Sequence, residues 1–194
     1  MSKGESEARE KIIAAATALI VERGSVEKIT TRDIAAQAGV GVGLINYHFQ
    51  SKEHLIELCV QRFIGGVIAG FRAEYLALDG MPPLDKLKLL LRRTAGFLAL
   101  NPGISEISIK TDLNAAHPGD NTTQTIAVYL PVVREVCGDG RSEQEQRILL
   151  TSLVAAVQSA FLRRDVLREE LGIDFSLPEH RAKLIDTIVN ALFG

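Results

Sequence analysis

Residues 29–55 read ITTRDIAAQAGVGVGLINYHFQSKEHL, and the spacing inside this stretch decides the fold. Thr30 or Thr31 can cap a short helix on which Ile34, Ala35 and Ala38 face one way. Gly39 ends that helix at a position suited to left-handed backbone. A second short helix is expected from about Gly41 to His48, with Leu44, Ile45 and Phe49 packing back on the first. Two short helices that cross closely need a small residue at the crossing, a turn residue that tolerates positive φ, and apolar residues facing back. Ala35, Gly39 and Ile45 supply these in order, which is the spacing of a helix-turn-helix. The same pattern also arises by chance in helical proteins, so the surrounding residues have to decide.

Working outward, Ile12, Ile13, Ala16, Leu19 and Ile20 form an apolar stripe that predicts a helix over residues 7–23, closed by Gly24. On the other side, Ser51 caps a long helix through Leu55, Leu58, Cys59, Phe63 and Val67 to about residue 78, linking two domains. The pair Gly65-Gly66 falls inside it, where glycines either permit close helix packing, the plainer explanation, or form a hinge. Met81-Pro82-Pro83 marks a boundary, followed by a helix from Leu84 to Leu100 that stops at Asn101-Pro102-Gly103. A weaker helix over 104–116, a loop over 117–123 and a helix around Thr125 to Val136, bent at Pro131, come next.

From Ser142 to about Glu170 the pattern is helical throughout, and its centre, LLTSLVAAVQSAFL, is apolar on nearly every side. Ser176-Leu177-Pro178-Glu179 resembles a capping box for a last helix carrying Leu184, Ile185, Ile188, Val189 and Leu192. No strand pattern occurs. The reading is an all-α fold of about nine helices, with a three-helix head over 1–50 and a larger body over 51–194. The excess apolar surface of the two C-terminal helices predicts a homodimer joined through them, unless one larger domain buries both.

Composition narrows the function classes. The chain has 194 residues, 46% hydrophobic and 24% charged, which predicts a globular protein. Ile12 to Val21 is half a membrane span, so neither signal peptide nor anchor is expected, and with only Cys59 and Cys137 the expected compartment is the reducing cytoplasm. A net charge of −2 excludes bulk attraction to polyanions, so any basic surface must come from arrangement. The histidines at 48, 54, 117 and 180 are scattered, no nucleophile and base are paired, and no ligand set accompanies His48 and His54. Neither an enzyme nor a metal or cofactor site is expected. Gly39-Val40-Gly41-Val42-Gly43 follows a helix and lacks the remaining residues of either nucleotide-binding loop.

The segment 29–55 resembles the DNA-binding segment of the TetR family of bacterial repressors, with its Thr-x-Arg-x-Ile-Ala, Ala-Gly-Val and Tyr-His-Phe-x-x-Lys-x-x-Leu signatures. The resemblance covers roughly the first third of the chain. It implies a dimeric regulator that binds a double-stranded, palindromic operator and is released by a small-molecule effector. It also implies phosphate contacts from Thr30, Thr31, Arg32, Tyr47, His48 and Lys52, and base reading by Gly41, Val42, Gly43 and Asn46. Two positions depart from the family pattern: Gly41 replaces a polar cap, and Asn46 stands where an aromatic usually precedes Tyr-His. Candidates to line an effector cavity are Phe97, Ile107, Thr111, Tyr129, Gln158 and Phe161. Alternatives are a ligand-independent or activating regulator of the same fold, and a helical interaction module that binds no DNA.

Overall fold

The computed structural model describes residues 3–24 and 26–194, apart from the side chains of residues 3 and 72. Among the described residues there are ten α-helices and no strand. They are α1 (Lys3–Arg23), α2 (Thr31–Ala38), α3 (Val42–Phe49), α4 (Lys52–Ala77), α5 (Pro83–Leu100), α6 (Pro102–Asn114), α7 (Asn121–Cys137), α8 (Glu143–Leu162), α9 (Arg164–Leu171) and α10 (Pro178–Phe193). They form two compact units, Met1–Gly66 with Asn101–Ala116, and Val67–Leu100 with His117–Gly194. This division differs from the 1–50 and 51–194 expected from sequence. The border falls inside α4, and α6 joins the first unit because it packs on α1.

In the first unit the apolar stripes close on one core. Ile12, Ala16 and Ile20 of α1, Ile34 of α2, Ile45 and Phe49 of α3, and Leu55 and Cys59 of α4 are all essentially buried. Each large side chain so buried contributes roughly 1.5–3 kcal/mol from area removed from water. Gly39 ends α2 at φ 66°, and its N–H and that of Val40 close on the carbonyls of Ala36 and Ala35. That turn aims α3 across α2.

In the second unit α7 packs on α5 and α8, and α10 packs on α5 and α8. Three features of this unit differ from the sequence reading. α7 begins at Asn121, inside the expected loop, because the Asp120 carboxylate caps it by accepting from Thr123 N at 2.7 Å. The helix expected from Ser142 to Glu170 is two helices, which accounts for ten against the expected nine. Arg163 leaves helical geometry at φ −104° and ψ 22°, and Arg164 folds back with its guanidinium 4.8 Å from the centre of the Phe161 ring and Nη1 on the Phe161 carbonyl. The expected capping box at Ser176 does not form either. Its hydroxyl donates to Asp174 Oδ1 at 2.6 Å, leaving Leu177 as a cap without a side-chain bond, although Pro178 does take the first turn.

α4 runs unbroken through Gly65 and Gly66, and a Cβ added at either would meet nothing within 4 Å. Close packing therefore does not explain the pair. Gly65→Ala and Gly66→Ala should each hold or raise the thermal midpoint, since alanine favours an exposed helix over glycine by about 1 kcal/mol. A clear fall in the midpoint by calorimetry would restore the packing explanation.

Candidate nucleic-acid interface

The two helices of the motif are fixed from their ends. At the start of α2, Thr30 and Asp33 form a reciprocal cap: the Thr30 hydroxyl accepts from Asp33 N at 3.1 Å, and Asp33 Oδ2 accepts from Thr30 N at 2.9 Å. The Thr30 hydroxyl also donates to Asp33 Oδ2 at 2.9 Å, so its single proton is engaged inside the cap. Arg23 adds a strap, with Nη1 donating to Asp33 Oδ2 at 3.0 Å and to the Lys28 carbonyl at 2.8 Å. The bonds from the Thr30 backbone and hydroxyl, then that from Arg23, hold the Asp33 carboxyl below its ordinary range.

Lys52, at the start of α4, donates to the Ile29 carbonyl at 2.9 Å and so ties the far end of the motif to its beginning. The Ser51 hydroxyl accepts from His54 N at 3.1 Å, as its expected capping role requires. Behind α3, the Arg9 guanidinium lies 5.4 Å from the centre of the Phe49 ring. Arg9, Arg23 and Asp33 were not among the sequence candidates. Thr-x-x-Asp at 30–33 is a readable capping signal, whereas contacts across ten or forty residues of chain leave no local trace.

With these ends fixed, α3 turns Ile45 and Phe49 inward and Gly41, Val42, Gly43, Asn46 and Tyr47 outward. Val42 is 38% exposed and Tyr47 70%. Arg32 is exposed and Thr31 half-buried. His48 is half-buried, its ring edge-on to Tyr47 at 5.1 Å, and its Nε2 is enclosed with no hydrogen-bond partner. Only Nδ1 of that ring is left to reach an outside acceptor. The Cys59 thiol, which donates to the Ile13 carbonyl, is pushed up by burial and suits a structural role.

The effector candidates are divided between the units. Ile107 and Thr111 lie on α6 in the first; Phe97, Tyr129, Gln158 and Phe161 lie in the second. There Tyr129 and Phe161 are core side chains, 2% and 0% exposed. Tyr129 pairs its hydroxyl with that of Thr94, burial pushes its pKa up, and its ring lies 6.2 Å from Phe71. Phe161 meets Phe175 edge-on at 5.7 Å, and Gln158 Nε2 donates to the Thr122 hydroxyl at 2.9 Å. A polar cluster absent from the sequence reading lies in the same unit. Lys86, 6% exposed, donates to Glu135 Oε2 at 2.9 Å over the Tyr75 ring, and the Tyr75 hydroxyl donates to Glu135 Oε1. That bond to the carboxylate is the largest cause of a Tyr75 pKa pushed up to about 12.

Geometry alone makes the first unit a helix-turn-helix head with a bare, outward second helix. Residues 12–59 match the profile of "Bacterial regulatory proteins, tetR family". Over 104 residues the chain is 38% identical to the HTH-type transcriptional dual regulator CecR of Shigella flexneri, covering 50% of this chain and 45% of that one. Over 99 residues it is 28% identical to the nucleoid occlusion factor SlmA of Sodalis glossinidius, covering 51% and 49%. The chain thus spans about half the length of the curated relatives it matches. The fold is shared further: a Thermus thermophilus FadR, a TetR-family repressor solved with lauroyl-CoA, superposes with a TM-score of 0.71 over 95% of this chain and 92% of that one, at 20% identity. Residues 12–59 are thus an amino-terminal segment of the kind found in TetR-family bacterial regulatory proteins, and the whole chain shares the fold of solved members.

The cap makes a pH prediction. A carboxyl held low in the folded state stabilises fully above its unfolded value of 3.8, and the contribution fades as pH falls through the lower folded value. Asp33→Asn should therefore melt earlier than wild type at pH 7, with the gap narrowing below about pH 4. A gap that stays constant from pH 7 to pH 3 would mean that the charge of Asp33 does not matter.

Proposed function

We propose that this protein is a DNA-binding transcriptional regulator that acts as a homodimeric, cytoplasmic repressor released by a small-molecule effector. The observation that carries the reading is the outward face of α3, where Val42, Asn46 and Tyr47 stand exposed on a helix whose other side is locked into the core. Val42 suits a thymine methyl and Asn46 suits adenine. Thr31 and Arg32 at the start of α2, with Tyr47, His48 Nδ1 and the remaining Lys52 protons at the far end, are the proposed phosphate contacts. The Thr30 hydroxyl joins them only by exchanging its bond to Asp33.

The dimer is proposed through α8 and α10. Large apolar residues of α8 such as Leu150, Leu153, Val157 and Phe161 are buried within the protomer, so the outward stripe is smaller than the sequence suggests. Along the later turns of α8, what remains exposed is Ile148 with the small side chains Thr151, Ser152, Ala155 and Ser159, at a helical spacing that favours close approach of a second helix. Ile148 lies on the same open surface of α8 as Glu143, Gln144, Arg147 and Thr151. Two copies related by a two-fold axis would present two α3 helices to half-sites about 10 bp apart, or a multiple of that.

The effector belongs to the second unit on this reading, where Phe97, Tyr129, Gln158 and Phe161 lie. The FadR structure of the same fold holds lauroyl-CoA, which supports a small molecule as the class of effector without fixing its chemistry. Activation is the second reading, because the Shigella flexneri relative carries the name of a dual regulator.

Sedimentation at micromolar concentration should give a dimer. The logarithm of the affinity for duplex DNA should fall linearly with the logarithm of salt concentration, and Arg32→Ala should flatten that slope by about 0.9 for each phosphate that Arg32 neutralises. A monomer would remove the two-fold operator, and an unchanged slope would remove Arg32 from the interface.

A further inference from the structure

Glycine in a protein usually answers a need inside the chain: a positive φ, as at Gly39 and Gly172, or a neighbour too close for a Cβ. Gly41 and Gly43 answer neither. Gly41 has φ −73° and ψ 144°, ordinary extended backbone in which serine or threonine would supply a cap to α3. Gly43 lies in the first turn of that helix, where glycine is the poorest non-proline former. A Cβ built at either position meets nothing within 4 Å. The fold would be helped by replacing both.

Their neighbours give the reason a direction. Positions 42, 43, 46 and 47 share the outward side of α3, opposite the buried Ile45 and Phe49. Along that side the first turn offers one isopropyl group, from Val42, between two positions without side chains, and then the Asn46 carboxamide and the Tyr47 phenol. Any surface laid against α3 would reach its main chain at Gly43 before it reached a side chain there.

We propose that Gly41 and Gly43 set the depth of α3 in the major groove, so that the backbone of its first turn lies against the base edges and Val42 with Asn46 becomes the principal base-reading pair. The inference rests on α3 being the DNA-recognition helix. Each glycine withholds a carbon about 1.5 Å from its Cα. Adding that carbon would hold the helix off and take Asn46 out of bidentate reach of an adenine, while phosphate contacts from longer, flexible side chains would adjust.

The test uses the full chain, wild type against Gly43→Ala and Gly41→Ser, with two DNA probes: a randomised duplex pool for selection, and a fixed unselected duplex at low salt. Both variants should have a thermal midpoint equal to or above wild type. Both should bind the unselected duplex within about twofold of wild type, yet lose tenfold or more of the affinity for the selected site, with altered preference at the positions read by Val42 and Asn46. A purely structural role would move stability and specific binding in the same direction, not in opposite ones. If either variant keeps the selected motif and its affinity, the depth proposal is overturned while DNA recognition stands. If wild type itself selects nothing and fails to bind the unselected duplex, the recognition reading falls and takes this inference with it.

Discussion

The head depends on the packing of α2 against α3 across the left-handed Gly39, which buries Ile34 and Ala35 on one helix and Ile45 and Phe49 on the other. Because Ile45 and Phe49 are buried, the residues on the far side of the same helix have only one direction in which to point. The orientation of Val42, Gly43, Asn46 and Tyr47 is thus a consequence of core packing rather than of contacts among themselves. Phe49 is fully buried, and removing a ring from such a site typically costs about 3–5 kcal/mol, a large part of a domain's total stability. The Arg9 guanidinium over that ring couples α1 to the same anchor.

Charge is organised around this crossing by arrangement, since eight Lys or Arg balance eight Asp or Glu over residues 1–64. Asp33 is drawn into a cap with Thr30 and Arg23, and Glu10 into a pair with Arg62 at 2.7 Å. Such exposed pairs add little stability. Their effect is to occupy acids near the motif while Arg32 faces outward. Lys52 divides its protons between the Ile29 carbonyl and whatever lies outside, so one side chain can both close the motif and touch a partner.

How much was legible follows from range. Ala35, Gly39 and Ile45 are set by spacing within a dozen residues, and the helix-turn-helix they imply is what the structure contains. The α8 and α9 break was illegible because arginine at 163 carries no breaking signal, and the turn is secured by Arg164 folding back over Phe161. Ser176 was misread because a competing acceptor, Asp174, lies two residues upstream and takes its proton. In the interface, exposure of the α3 face could be read from periodicity. The closed Thr30 hydroxyl and the enclosed His48 Nε2 could not, since both depend on neighbours brought in by folding. The body is less legible again: Tyr129 and Phe161 are aromatic on helical spacing, and their pairing with Thr94, Phe71 and Phe175 comes from distant elements that leave no local trace.

The central claim is that the exposed side of α3 and the start of α2 meet DNA. Amide hydrogen exchange of the full chain with and without duplex DNA addresses it most directly. The account predicts added protection over Thr31–Arg32 and Val42–Tyr47, with α8 and α10 unchanged. Protection confined to the second unit, or none anywhere under conditions where the duplex is bound, would contradict it.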